Sequence, residues 1–285
     1  MLGLGSPKGP RVDFGHAHAV VTGGSSGIGL ATARELARRG TRLSLVARGS
    51  ERLESAAAEL AEMGAEVAVA PADVSDRAAL TAALDRLVTE QGPCDILVAS
   101  AGLARPGHFL DLPDEVFRQM MEVDYFGTLY ALRAVLPGMA ERRRGSVVAV
   151  SSAAGLLGIF GYSAYGPAKF AVRGLMESVR AELAPLGVHA GVVFPPDVDT
   201  PQLAEENRWK PAETFAVSGT VKPLTPQKVA EAIVSGIASR RFLICPDPAT
   251  RALARWGSVL APVLNRRFDR KVAAVRGRSL TAGRG

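Results

Sequence analysis

"HAVVTGGSSGIGLATARELARRG", residues 18–40, passes from an apolar β-rich run through spaced glycines into a helical pattern that Gly40 stops. Gly23, Gly27 and Gly29 give the spacing Gly-x-x-x-Gly-x-Gly. A sharp strand-to-helix turn needs residues without Cβ. A pyrophosphate can then approach bare backbone and rest on the helix N-terminus, where free N–H groups and the dipole favour an anion. A glycine cluster alone marks a tight turn as often as a binding site. Here it lies between a strand and a helix at the start of a βαβ unit, which selects a dinucleotide site. Gly23, Ser25, Ser26, Gly27, Ile28 and Gly29 are the residues expected to hold it.

Outward from that turn the alternation continues. Residues 41–48, 65–74, 94–102, 145–152, 187–196 and 241–246 read as further strands. Helical patterns fill 50–64, 76–92, about 113–143, the segment after residue 161, and the stretch after Thr225-Pro226, an N-cap followed by proline at the first helical position. Strands joined by helices imply a parallel sheet covered on both faces. The expected architecture is α/β: a single-domain, Rossmann-type, doubly wound parallel sheet of about seven strands over residues 17–248. Residues 1–16 read as a loose leader and 249–285 as a basic amphipathic segment. The run 197–224 is polar, contains prolines and is long for a loop, as lids over binding sites are.

Composition narrows the function classes. At 285 residues with 47% hydrophobic content the chain can bury a full core. Its two cysteines, Cys94 and Cys245, fall in apolar runs that read as strands, which fits reduced thiols better than a disulfide. No apolar run approaches the length of a membrane span, so a cytoplasmic placement is expected, with peripheral attachment to a membrane face left open. The four histidines lack the spacing of a metal set and read as strand-edge residues. Net charge is +6, but residues 240–285 hold eleven Lys/Arg against two Asp, so the body is mildly acidic. That argues against a nucleic-acid groove in the body and turns attention to what the tail touches.

The second strand ends at Ala47-Arg48, where a dinucleotide site reads the adenosine ribose. A carboxylate there would accept the ribose hydroxyl; an arginine attracts a 2′-phosphate instead. Arg48 therefore points to NADPH. Asp73, after the third strand, reads either as a partner of the adenine amino group or as the cap of the next helix.

"GYSAYGPAKFAVRG", residues 161–174, supplies the chemistry. On a helix, Tyr165 and Lys169 stand one turn apart. Carbonyl reduction needs a proton donor beside the oxygen as hydride reaches carbon. A free tyrosine has a pKa near ~10, and a neighbouring ammonium is expected to lower it toward neutrality. Tyr162 has Gly166 four residues on and reads as a pocket wall. Ser152, ending the fifth strand, can hydrogen-bond the substrate oxygen, and Lys169 can also hold the nicotinamide ribose.

"TGGSSGIG", "SAG" at 100–102, "SS" at 151–152 and "YGPAK" together resemble the short-chain dehydrogenase/reductase family over about residues 17–246. The resemblance implies Ser152, Tyr165 and Lys169 as catalytic residues, cofactor contacts at Ser100 and Pro195, and a homo-oligomer through the long central helices. Two positions depart from it. Ser100 replaces an asparagine, and Asp124 in "MEVDYFGT" replaces the asparagine whose carbonyl holds a relay water. Asp124 can serve by backbone or by carboxylate, and near Lys169 a carboxylate would raise the lysine pKa. "FPPDVDTPQLAEENRWKPAET", residues 194–214, is similar to 3-ketodihydrosphingosine reductases in particular. That implies NADPH-dependent reduction of a long-chain 3-keto lipid in sphingolipid biosynthesis. The alternatives are a reductase of another ketone, such as a ketoacyl thioester or a steroid, and a non-catalytic NADPH-binding regulator.

A membrane partner is the remaining expectation. Leu253, Trp256, Leu260, Val263 and Leu264 fall on one side of a helix begun at Ala249, with Arg251, Arg255 and Arg266 opposite and Arg267, Arg270, Lys271, Arg276 and Arg278 beyond. Such a segment suits a bilayer interface, or packs over the substrate pocket or a partner subunit. Pro262 is expected to kink or split it.

Overall fold

The seven apolar runs become seven strands in the computed structural model, which describes residues 11–218 and 222–282. They are β1 (His18–Thr22), β2 (Arg42–Ala47), β3 (Val67–Pro71), β4 (Ile96–Ala99), β5 (Ser146–Val150), β6 (His189–Val193) and β7 (Leu243–Ile244). All neighbours pair in parallel, in the order β3-β2-β1-β4-β5-β6-β7. Every residue of β1, β4, β5 and β6 is buried, because helices cover both faces. Edge strand β3 instead alternates and ends in an exposed proline, which needs no ladder donor there. The order reverses between β1 and β4, and a crevice opens beyond the carboxyl ends of strands at such a switch point.

The helices are α1 (Gly27–Ala37), α2 (Ser50–Glu62), α3 (Arg77–Gln91), α4 (Asp114–Met120), α5 (Gly127–Glu141), α6 (Tyr165–Leu183), α7 (Pro201–Asn207), α8 (Ala212–Ser218), α9 (Pro226–Ala238) and α10 (Pro248–Ala282). Leu36, Leu43, Leu45, Ile233 and Ile237 fill the layer between the sheet and α1/α9. Leu80, Leu84, Leu132, Val172 and Met176 fill the opposite layer. Fully burying each such side chain stabilises by about 1.5–3 kcal/mol.

Several expectations are corrected. The helix expected over 113–143 is α4 and α5 joined by a π-helical turn, Met121–Phe126, which carries the fully buried Asp124. The polar run 197–224 is no plain loop: it folds α7 and α8. The Thr200 hydroxyl accepts the Leu203 N–H at 3.2 Å with Pro201 at the first helical position, the same device that starts α9 at Thr225-Pro226. Cys94 and Cys245 are free but lie just outside β4 and β7, and burial pushes the Cys94 thiol up to about 12. His18 and His189 stand at the first positions of β1 and β6, as expected of strand-edge residues, and His18 is fully buried there. Its Nδ1 is bonded to the Gly92 carbonyl and its Nε2 to the Ser44 hydroxyl, both at 2.8 Å.

The C-terminal segment is one helix through Pro262, which forgoes a single backbone bond while packing holds the chain on either side. Its apolar residues divide. Leu253 joins the core, and Gly257 approaches the Leu156 carbonyl. Further along, Arg276 pairs with Glu213 of α8 at 3.3 Å. Trp256, Val259 and Val263 remain exposed. Of the expected leader, residues 11–16 are described: a 3-10 turn, Phe14–His16, docks when the Thr41 hydroxyl donates to the Phe14 carbonyl at 2.9 Å. Residues 1–10, 219–221 and the side chain of Arg278 lie outside the described residues.

Candidate active site

The glycine turn closes on its neighbours more tightly than any side chain would allow. Gly23 has φ +67°, and a Cβ there would sit 2.8 Å from the Ala101 nitrogen. A Cβ on Gly29 would strike the Gly23 carbonyl oxygen. Gly27 also has a positive φ, +53°. Ser26 caps α1 by position without a side-chain bond, so the first N–H groups of the helix are free for an anion. This bare backbone fits a dinucleotide pyrophosphate.

Ser26, Gly27, Ile28 and Gly29 form one wall of an open cleft of about 1050 Å³. Ser100, Ser152, Tyr165, Lys169 and Pro195 line the same cleft. Ser25, Arg48 and Asp73 stand outside that lining. Arg48 follows β2 beside the turn, since Val46 accepts the Gly23 N–H at 2.8 Å. Its side chain is 70% exposed, with Asp73 4.0 Å away. Asp73 does not cap the next helix. Asp76 does, accepting from Ala78 and Ala79, while Asp73 accepts from the Ser75 N–H and hydroxyl.

Tyr165 opens α6, and Lys169 follows one turn later. Lys169 Nζ donates to the Val150 carbonyl at 3.1 Å and pairs with Asp124 Oδ1 at 3.2 Å. Its backbone carbonyl accepts the Ser151 hydroxyl at 2.9 Å, which ties α6 to the end of β5. The Asp124 carboxylate also accepts the Leu103 N–H at 3.1 Å, and its own carbonyl accepts the Thr128 hydroxyl at 2.7 Å. Gly102 permits this, because a Cβ there would lie 2.6 Å from Asp124 Oδ1. Both the carboxylate and the backbone carbonyl of Asp124 are thus engaged, the carboxylate with Lys169 and the carbonyl with Thr128. Burial raises the Asp124 pKa, against the pull of Lys169 and the Leu103 N–H.

The expected lowering of the Tyr165 pKa is not found. Burial holds the phenol well above its ordinary value, and the charges of Asp124 and Glu206 add to the rise, against the Ser152 hydroxyl. Lys169 Nζ lies 5.5 Å from the Tyr165 ring centroid, and Asp124 offsets its charge.

Tyr162 is a wall residue with a partner that sequence reasoning missed. Its hydroxyl donates to Glu206 Oε1 of α7 at 2.7 Å, and its ring stands 5.6 Å from that of Tyr165. Lys210 pairs with Asp197 at 3.2 Å beside them. The available signal was Thr200-Pro201: a helix begun there places Leu203 and Glu206 on one face, and both are buried.

The chain is similar to known proteins over most of its length. Residues 17–211 match the family model described as short chain dehydrogenase. The chain is 39% identical over 263 residues to a Danio rerio protein named 3-dehydrosphinganine reductase, covering 90% of this chain and 79% of that protein. Among solved structures it is similar to a short-chain dehydrogenase from Sphingobium yanoikuyae in complex with NADPH, with TM-score 0.74, 28% identity, and 85% of this chain and 92% of that one covered. It is also similar to a short chain dehydrogenase/reductase from Burkholderia phymatum in complex with NAD, with TM-score 0.77, 26% identity, and coverage of 86% and 94%.

Proposed function

As the chain belongs to the short-chain dehydrogenase family, we propose that it reduces the 3-keto group of 3-ketodihydrosphingosine to the alcohol of dihydrosphingosine, using NADPH. The observation that carries the reaction class is the convergence of Ser152, Tyr165 and Lys169 on the glycine-walled cleft. The substrate reading draws on the likeness to the 3-dehydrosphinganine reductase. When bound, NADPH supplies hydride to the ketone carbon. Ser152 Oγ orients the ketone oxygen, and Tyr165, its proton held firmly by burial, delivers that proton to the same oxygen. Lys169, fixed by Val150 and Asp124, holds the ribose. Arg48, exposed beside the turn, takes the 2′-phosphate and sets the preference over NADH. The test is NADPH oxidation by the purified chain with ketosphinganine, with dihydrosphingosine detected by mass spectrometry. Higher kcat/KM on a ketoacyl thioester or a steroid ketone would overturn the substrate assignment.

The α10 face of Trp256, Val259 and Val263, exposed and flanked by arginines, meets an anionic bilayer surface in this reading, where an insoluble substrate is collected. Among the described residues no helix is long and apolar enough to cross a membrane. Replacing the three side chains with serine abolishes co-sedimentation with anionic vesicles at low salt; undiminished recruitment would refute the attachment.

A further inference from the structure

Reduction of a plain ketone leaves one feature of the cleft unused. Glu206 is 8% exposed and lines the cleft together with Ser152, Tyr165 and Lys169. The Tyr162 hydroxyl is the one side-chain hydrogen bond to its carboxylate among the described residues. The neighbouring cation, Lys210, is paired with Asp197 at 3.2 Å. A buried carboxylate without a cation of its own is costly to keep, and such a group facing a cleft is a candidate ligand contact.

We propose that Glu206, positioned by Tyr162, receives the protonated amine of the substrate and so selects 2-amino ketones over neutral ones. The inference rests on the function proposed above, whose substrate carries an ammonium on the carbon next to the reacting ketone. With the ketone oxygen at Ser152 and Tyr165, an ammonium one carbon away would meet the carboxylate bonded to Tyr162, whose ring stands 5.6 Å from that of Tyr165. The Tyr162 hydroxyl holds the carboxylate at that end of the cleft. Recognition and acidity are then linked. Glu206 is one of the carboxylates whose charge keeps the Tyr165 proton tightly bound. An ammonium settling against it neutralises that charge and makes the phenol a better donor, which a neutral ketone cannot do.

The test compares full-length wild type, Glu206→Gln and Tyr162→Phe on 3-ketodihydrosphingosine and on the des-amino 1-hydroxy-3-ketone of equal chain length, following NADPH oxidation. Wild type prefers the amino ketone. Glu206→Gln cuts that preference in kcat/KM by at least roughly 30-fold, mostly through a higher KM for the amino ketone, while kcat/KM for the des-amino ketone holds or rises because the charge that tightens the Tyr165 proton is gone. Tyr162→Phe raises KM for the amino ketone by a few-fold with a smaller change in kcat. NADPH titration by fluorescence confirms that each variant is folded. Equal loss on both ketones in a Glu206→Gln protein that still binds NADPH makes Glu206 structural and overturns the inference. An unchanged preference overturns it as well. If Glu206→Gln does not fold, an unchanged preference and KM in Tyr162→Phe overturns it. Wild type that reduces both ketones equally well overturns this inference alone; wild type that reduces neither overturns the proposed function and the inference with it.

Discussion

The two walls of the cleft are built on different principles. The glycine wall binds with backbone: Gly23, Gly27 and Gly29 lie within seven residues, and their role is to carry no side chain. The opposite wall binds with side chains. Tyr162 and Glu206 meet across 44 residues of sequence, and Lys169 meets Asp124 from a different element. A backbone cradle tolerates many sequences around its glycines but no Cβ at them. A side-chain wall is sensitive to functional groups and is where the proposed substrate choice would reside. Substitutions should therefore separate cofactor effects on the first wall from chemistry and selectivity on the second.

The largest effect belongs to the second wall. Tyr165→Phe removes the proton donor and lowers kcat by about a thousandfold, within the usual range for a lost general acid. Tyr162→Phe, one turn before it and bonded to Glu206, keeps kcat within about tenfold. Steady-state rates on the two purified variants check this. An active Tyr165→Phe enzyme would dissolve the division between the walls, because the proposed reaction draws its proton from that phenol.

Next comes the glycine wall. Gly29→Ala forces a Cβ against the Gly23 carbonyl, so the turn must shift. NADPH Kd rises roughly 30-fold, in line with overpacking that costs about 2 kcal/mol. Gly174 in α6 has nothing within 4 Å of an added Cβ. Gly174→Ala leaves NADPH binding unchanged and raises stability by roughly 0.5–1 kcal/mol, through helix propensity alone. Fluorescence titration and thermal unfolding of the pair measure both effects.

Arg48 tests the cofactor side with a side chain rather than a backbone. Arg48→Asp removes a phosphate partner and adds repulsion. It shifts the NADPH/NADH ratio of kcat/KM toward NADH by about tenfold or more. Rates with both cofactors read the ratio directly, and an unchanged value would return the phosphate contact to Ser25 or Ser26.

This contrast explains what could be read in the sequence. The glycine turn, the strand alternation and the Tyr165/Lys169 spacing are local, and each was legible because covalent neighbours make the feature. The π-helical turn at Met121–Phe126 was not, because a helix pattern carries no mark of one widened turn. Glu206 was not, because its partner lies in another segment. The tyrosine pKa was misjudged because its largest cause, burial of the phenol, comes from packing between distant segments and leaves no mark in the Tyr165/Lys169 spacing. Helices α7 and α8 were legible in principle, since Thr200-Pro201 repeats the start signal that was recognised at Thr225-Pro226.

Asp124 gives the smallest and most discriminating test, because it lies outside the cleft lining and meets the side-chain wall through Lys169. Asparagine keeps an acceptor for the Leu103 N–H and leaves the backbone bond to Thr128 in place. It removes the negative charge that pairs with Lys169 and that helps hold the Tyr165 pKa up. The kcat of Asp124→Asn therefore stays within about tenfold of wild type, a change of at most about 1.4 kcal/mol. Its pH profile moves in a defined direction. Reduction needs the protonated phenol, so the rate falls as pH rises through the Tyr165 pKa. With the charge of Asp124 gone that pKa drops, and the fall begins at lower pH than in wild type. A pH–rate profile of both proteins at saturating NADPH shows the shift. A variant with wild-type pH dependence would place the contribution of Asp124 in the geometry of Lys169 alone.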